Sequence, residues 1–334
     1  KAQSAANLLT AFDATLPLLC SMTLFATVAL LPQDSISLGA FLAFNVAFVQ
    51  ILGGAVRVGA VIGQAVEVVP LYERALPILE EPPEVDAAKV VPADLTGEIE
   101  LSRVSFRYQP EGPLVLDDVS LHIDPGEFVA FVGPSGAGKS TIIRLLLGFE
   151  IPVTGAVYYD AHDLSSLDRQ ALRRQIGVVL QHGRVTAGDI YNNIIGSSFL
   201  SLDEAWEAAR VAGLDGDINE MPMGMQTVVC EGGTTLSGGQ RQRLMIARAV
   251  VTNPRILLFD EATSALDNAT QAQVSKSLER LKATRIVVAH RLSTIIHADR
   301  IFVVDGGRIV QQGRYEELIR QKGLFAELSQ RQLL

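Results

Sequence analysis

Residues 14–31 and 36–56 contain no charged side chain and are dominated by Leu, Ala, Val and Phe. Each stretch approaches the roughly 20 apolar residues that a helix needs to cross a bilayer. Between them, Pro32, Gln33, Asp34 and Ser35 have turn chemistry and carry no Lys or Arg. The pattern therefore predicts a transmembrane helical hairpin with its tight turn on the outer face and Arg57 and Arg74 inside, Pro17 being the one breaker within the first span. A buried helix pair or a secretory signal would also be apolar, but a signal peptide is not followed by a second span. Helical periodicity continues to about Leu79, where Glu80-Glu-Pro-Pro-Glu84 stops it, because proline cannot continue a helix. The reading divides the chain into a partial transmembrane domain (1–79), a linker (80–97) and a second domain (98–334).

In the second domain the period changes. Ile99, Leu101, Val104 and Phe106 predict a strand, and short apolar runs at 128–132, 176–180, 256–259 and 286–289 read as strands of a parallel sheet covered on both faces. Helical stretches separate them, which makes the fold class α/β. The clearest helix signal is Ser201-Leu-Asp-Glu204, a capping box, followed by Leu202, Ala205, Trp206 and Ala209 at helical spacing and closed by Gly213.

Composition narrows the function classes. The chain has 334 residues, 48% of them hydrophobic, enough for a large core and two domains. A formal charge of −9 leaves no basic field for a phosphate backbone, so nucleic acid is not an expected partner. The two cysteines, Cys20 and Cys230, form neither a disulfide framework nor a zinc pattern. The chain opens on Lys1 and enters the apolar region almost at once, so it is read as the carboxy-terminal piece of something longer.

In an open parallel sheet, ligands lie beyond the carboxyl ends of the strands, so a polar residue ending an apolar run is informative. After the run 128–132 comes Gly133-Pro-Ser135-Gly136-Ala137-Gly138-Lys139-Ser140-Thr141, a phosphate-binding loop. Its glycines let backbone amides face phosphate oxygens, the following helix adds its positive end, Lys139 reaches the β and γ phosphates, and Ser140 is placed for magnesium. Asp260 ends the run 256–259 and is placed for magnesium or its water, and Glu261 for the proton of an attacking water. Gln181 and His290 end two further runs. Each could face a γ-phosphate, or each could be an ordinary satisfied structural residue. Tyr108 closes an alternating strand, where it either packs or offers a stacking platform to a base. Leu236-Ser237-Gly238-Gly239-Gln240 precedes a predicted helix that stops at Asn253-Pro254, so its amides form a second anion site. A nucleotide cradled by Gly133 to Thr141 is enclosed on one side only, so the economical reading is that this second site closes over a neighbouring subunit's nucleotide, which implies a two-fold dimer with two sandwiched ATP molecules.

With Tyr108, the loop from Gly133 to Thr141, Gln181, Leu236 to Gln240, Asp260-Glu261, Ser264-Ala-Leu-Asp267 and His290 in this order, residues 98–334 resemble the nucleotide-binding domain of ATP-binding-cassette transporters. With the hairpin, the chain is similar to exporters that fuse six membrane helices to this domain, of which the last two would be present. The stretch from Asp203 through Met221-Pro-Met-Gly-Met225 and Glu231-Gly-Gly233 to Asp260 resembles permease/ATPase subunits of bacteriocin export systems of the nitrile-hydratase-leader-peptide type. The resemblance implies a P-loop (RecA-like) domain with an antiparallel β subdomain and a helical subdomain, with ATP and Mg2+ as cofactors. By the same resemblance Glu261 is the general base, His290 the γ-phosphate contact, and Ser140, Gln181 and Asp260 the magnesium sphere. Ser237, Gly238, Gly239 and Gln240 then act in trans on the partner's ATP, and Asp267 lies in the dimer seam. It further implies a homodimer, or a heterodimer with a second exporter half, embedded as a multi-pass protein in the cytoplasmic membrane of a bacterium, its nucleotide domain in the cytosol and its cargo a peptide. One departure is local: exporters commonly follow the Gln with an apolar or aromatic pair, where this chain has His182-Gly183-Arg184-Val185. Lipid, drug and haem export share the architecture. A soluble cassette ATPase of repair or translation would share the motifs but lack the two apolar spans, and a scaffold that only binds ATP would not need Glu261.

Overall fold

The structure is a computed structural model that describes residues 2–30, 32, 36–81, 84, 89–181, 183–233, 235–260, 265–289 and 291–330. The chain forms two compact units, Lys1–Pro83 and Glu84–Leu334. The first is a pair of helices, α1 (Ala2–Ala29) and α2 (Leu38–Glu80). Helix α1 runs on through Pro17 instead of breaking there. Further along it, Thr23 Oγ1 donates to the carbonyls of Leu19 and Cys20, and Thr27 Oγ1 to that of Thr23, so these hydroxyls need no water. Ser37 caps α2 by accepting from the Ala40 amide, and Phe25 meets Phe41 edge to face across the pair. Within α2, Leu38–Gly59 has 22 residues of mean hydropathy 1.8, long and apolar enough to cross a membrane, and none of the span is buried. The apolar part of α1, Thr15–Ala29, is shorter than the expected span over 14–31. Gln33, Asp34 and Ser35 of the expected turn lie outside the described residues. Helix α2 passes through Pro70 and Pro77 and ends at Glu80, immediately before the Glu-Pro-Pro sequence.

The second unit begins as a strap. Arg173 forks onto the carboxylate of Glu84, Val90 is bracketed by backbone bonds to Ser166 and Asp168, and Gln175 takes both the Leu95 amide and the Ala93 carbonyl. Then come β1 (Ile99–Phe106), β2 (Leu116–Ile123), β3 (Phe128–Val132), α3 (Lys139–Leu146), β4 (Thr154–Tyr159) and β5 (His162–Asp163). Four of these strands form an antiparallel sheet in the order β2-β1-β4-β5. Helix α4 (Arg169–Arg173) leads into β6 (Ile176–Val179).

A helical layer follows: β7 (Gly188–Asp189), α5 (Ile190–Ile195), α6 (Leu202–Val211), α7 (Asp215–Glu220), β8 (Val228–Val229) and α8 (Gly238–Val250). The capping box at α6 forms as expected: Ser201 accepts from the Glu204 amide, and Glu204 accepts from Ser201. Of the predicted face of α6, Ala205 and Ala209 are fully buried and Trp206 packs partly against the core, while Leu202 at the helix start is exposed.

The chain then completes its main sheet with β9 (Ile256–Asp260), α9 (Asn268–Glu279), β10 (Thr284–Val288), α10 (Leu292–Ile295), β11 (Arg300–Asp305), β12 (Arg308–Gly313), α11 (Tyr315–Arg320) and α12 (Leu324–Gln330). The sheet order is β12-β11-β3-β10-β9-β6, parallel except for β12. Both faces are covered, so β3 and β9 are buried at every residue. Val129 and Phe131 face the core shared with β1, β2 and α3, while Phe128, Ala130 and Val132 face the core shared with α5, α6 and α8. Because β3, β6, β9 and β10 run the same way, their carboxyl ends lie along one edge, with Phe131 level with Val288 and Val288 level with Asp260.

Candidate functional site

At that edge the loop after β3 wraps into the start of α3. Gly133, Gly136 and Gly138 have φ of 151°, 81° and 105°, a region that favours glycine. A Cβ on Gly133 would lie 2.0 Å from the carbonyl oxygen of Val304, and one on Gly138 would lie 2.7 Å from Leu116 Cδ2. At Gly136 nothing lies within 4 Å, so that position faces open space. The Ala137 amide donates to the Pro134 carbonyl, closing a tight turn, and the Ile142 amide donates to Gly138 to start the helix. Lys139 is buried, and its ammonium donates to the carbonyls of Gly133 at 2.8 Å and Pro134 at 2.9 Å. The loop thus holds its cation folded over its own backbone.

The cleft beside this loop, about 420 Å³, is lined by Tyr108, Gly136, Lys139, Ser140, Thr141 and Gln181 among others. Sequence motifs separated by more than 70 positions therefore meet in one place. Ser135 and Ser140 are exposed and Ala137 is buried under the loop. The Tyr108 hydroxyl and Thr141 Oγ1 share a hydrogen bond of 3.1 Å, and Phe106 meets the tyrosine ring edge-on at 4.9 Å. The Arg144 guanidinium lies 5.9 Å from the ring centroid, tied to Glu150, which raises its pKa. Half of Tyr108 stays exposed, so its ring is held at the edge of the cleft with area left for a planar group. Asp260 is buried at the end of β9. Gln181 follows β6 by two residues and is exposed to the cleft. Glu261, Ser264 and His290 lie outside the described residues, as does His182.

The second anion motif stands at a helix start, as expected, but α8 begins at Gly238 rather than near Arg241. Ser237 Oγ accepts from the Gln240 amide at 3.1 Å, and Gln240 Oε1 accepts from the Ser237 amide at 3.0 Å. The Gln240 side chain also donates to Asp217 at 2.8 Å. Gln240 thus orients the turn, leaving Ser237 and Gly238 exposed at its tip. Gln242, on the same helix, accepts from the Ala265 amide at 2.8 Å and so fixes the segment that leads to Asp267. Asp267 caps α9 through the Thr270 amide and hydroxyl, bonds that hold its carboxyl below the usual range.

Residues 116–264 match the family model described as ABC transporter. This segment is an ABC transporter ATPase domain. The chain is 42% identical over 315 residues to the alpha-hemolysin translocation ATP-binding protein HlyB of Escherichia coli O157:H7, a match that covers 93% of this chain and 45% of that protein. It is 40% identical over 305 residues to the leukotoxin export ATP-binding protein LtxB of Aggregatibacter actinomycetemcomitans, covering 90% and 43%. The chain therefore spans less than half the length of these curated relatives. Among solved structures, a bacterial Atm1-family ABC exporter with ATP bound superposes with a TM-score of 0.76 at 34% identity, covering 99% of this chain and 58% of that one. The ABC domain and the two preceding helices thus follow the ABC exporter fold.

Two residues of the ABC domain escaped the sequence reading. Asn193 on α5 is 1% exposed, and Arg248 in the last turn of α8 bonds to it twice. The signal was present: Leu244, Ala247, Arg248 and Val251 follow the i, i+3, i+4, i+7 spacing of a buried stripe, with a cation inside it. Val185, in the segment after Gln181, is buried against Gly233.

Proposed function

We propose that this chain belongs to an exporter in which ATP binding and hydrolysis drive a polypeptide across the cytoplasmic membrane of a bacterium by alternating access. The observation that carries the reading is the union, in one chain, of a helix over Leu38–Gly59 long and apolar enough to cross a membrane with a cleft formed by a glycine-rich loop at the carboxyl edge of a parallel sheet. Tyr108 stacks on adenine, the amides from Ser135 to Thr141 enclose the phosphates, and Lys139 exchanges its carbonyl partners for β and γ oxygens. Glu261 takes the proton of the attacking water and His290 contacts the transferring group.

A magnesium ion fits the donor set. It binds through substrate phosphates and one or two carboxylates rather than an all-protein cage, and Ser140, Gln181 and Asp260 offer a hydroxyl, an amide oxygen and a buried carboxylate. When bound, it neutralises charge on the β and γ oxygens. Two domains then close face to face, Ser237, Gly238, Gly239 and Gln240 of each addressing the other's nucleotide and Asp267 lying in the seam. The partner is a second copy or a related exporter half.

The names of the relatives, which describe toxin translocation, favour a polypeptide cargo over lipid, drug or haem. Within that class we assign a bacteriocin-type peptide, from the resemblance carried by Asp203 to Asp260. The decisive experiment uses the intact protein in lipid vesicles. Glu261→Gln should keep ATP binding and dimer closure while abolishing both turnover and ATP-dependent export of a leader-bearing precursor peptide. Unchanged hydrolysis would remove Glu261 as the base. Hydrolysis that peptide neither stimulates nor accompanies into the lumen would remove the cargo.

A further inference from the structure

Helix α8 carries Ser237 at its start and Arg248 in its last turn, about 16–17 Å apart at the usual helical rise. Its side grips the segment that leaves Gln181. Arg248 Nε donates to the Asn193 carbonyl and Nη2 to Asn193 Oδ1, both at 2.6 Å, while Nη1 donates to the Arg184 carbonyl at 3.2 Å. Asn193 extends the hold. Its Oδ1 also accepts from the Thr186 amide at 3.0 Å and hydroxyl at 3.1 Å, and its Nδ2 donates to the carbonyls of Thr186 and Asp189, both at 2.9 Å. One buried amide and one fork-shaped cation thus tie Arg184, Thr186, Asp189 and Asn193 to the helix. Burial lowers the Arg248 pKa, and the oxygens around the guanidinium supply the compensation that a half-buried cation requires.

The grip has a second point nearer the start of α8. A Cβ on Gly183 would lie 2.7 Å from Met245 Sδ, so the segment runs flush against the helix, and the Gly232 amide donates to the Val185 carbonyl at 3.1 Å. Gln181 and the Ser237 turn are therefore the two ends of one braced piece.

We propose that Arg248 is a positioning residue that makes the Gln181 segment and the Ser237 helix move together, so that nucleotide engaged at a protomer's own cleft sets the position of the amides that reach its partner's nucleotide. This rests on the dimeric ATPase reading above. The physical reason is geometric: three donors of a planar guanidinium fix the orientation of the segment, whereas an ammonium on a flexible stem would hold a single point. Coupling between the two composite sites then depends on the stiffness of this brace.

The test measures ATP turnover of the intact protein in lipid nanodiscs against ATP concentration with excess Mg2+, together with thermal melting, for Arg248→Lys and Thr186→Val. Arg248→Lys should keep a positive charge and melt near the parent, yet lose cooperativity in ATP and drop kcat about tenfold with little change in KM. Thr186→Val, which deletes one hydroxyl at constant shape, should shift cooperativity in the same direction by less, and it decides the matter if the lysine variant fails to fold. Variants that melt lower while retaining parental kcat and cooperativity would reduce the brace to a purely structural role and overturn the proposal. A parent protein that hydrolyses ATP without cooperativity would overturn the coupling while leaving the ATPase intact. A parent protein with no turnover would instead remove the reading on which the proposal stands, and the proposal with it.

Discussion

Replacing Gly133 by alanine separates the structural from the ligand-binding work of the phosphate loop. The added methyl would sit 2.0 Å from the carbonyl oxygen of Val304, where real Cβ contacts stay above 3.0 Å. That oxygen belongs to β11, which is paired on one side with β3 and on the other with β12, so it cannot simply swing away. The backbones must part by about 1 Å, an overpacking that costs about 1–3 kcal/mol. An alanine held at a φ of 151° adds strain of about 1–3 kcal/mol. The sum, about 2–6 kcal/mol, lowers the melting temperature of a domain this size by roughly 5–20 °C. Gly136→Ala is the control, because its methyl meets nothing within 4 Å and only the φ of 81° opposes it. There the loss should be about 1–2 kcal/mol of stability, while ATP affinity falls by about tenfold or more because the methyl enters the space meant for phosphate. Differential scanning fluorimetry and ATP titration calorimetry on the intact protein measure the two quantities. A Gly133→Ala variant that melts within two or so degrees of the parent, or above Gly136→Ala, would refute the packing argument.

Removing the ammonium by Lys139→Met should weaken ATP binding at least about tenfold, and calorimetry giving parental affinity would count against its role as phosphate clamp. Ser201→Ala deletes the cap of α6 and should cost about 0.5–2 kcal/mol in urea unfolding, with no effect on nucleotide affinity. Acid should destabilise the second unit. The carboxyls of Glu204 and Asp267 are held below their ordinary values by hydrogen bonds at helix starts, and that of Glu84 by its bond to Arg173. Groups with lowered pKa contribute stability above the unfolded value and lose it as pH falls through the folded one. Melting temperature should therefore be insensitive to these groups near neutrality and fall below about pH 4. A Glu84→Gln, Glu204→Gln, Asp267→Asn variant with an unchanged acid limb would contradict this.

What the sequence alone determined is what depends on near neighbours. The capping box at Ser201 closes over four residues, the buried runs of β3 and β9 follow from local apolar continuity, and the phosphate loop's turns follow from glycines two and three residues apart. For such features the interacting atoms lie within a turn of each other, so residue type and spacing suffice. Tertiary structure decided what depends on partners far along the chain. The insertion of β10 between β3 and β9, the strap held by Arg173 and Gln175, and the meeting of Tyr108 with Gln181 across one cleft are set by sheet order, which no local period encodes. The same holds for Arg248 and Asn193. A local stripe marks Arg248 as a cation on an apolar face, but its pairing with Asn193, 55 residues away, lies beyond any short pattern, and the packing of α5 against α8 supplies the oxygens that keep the cation from being stranded.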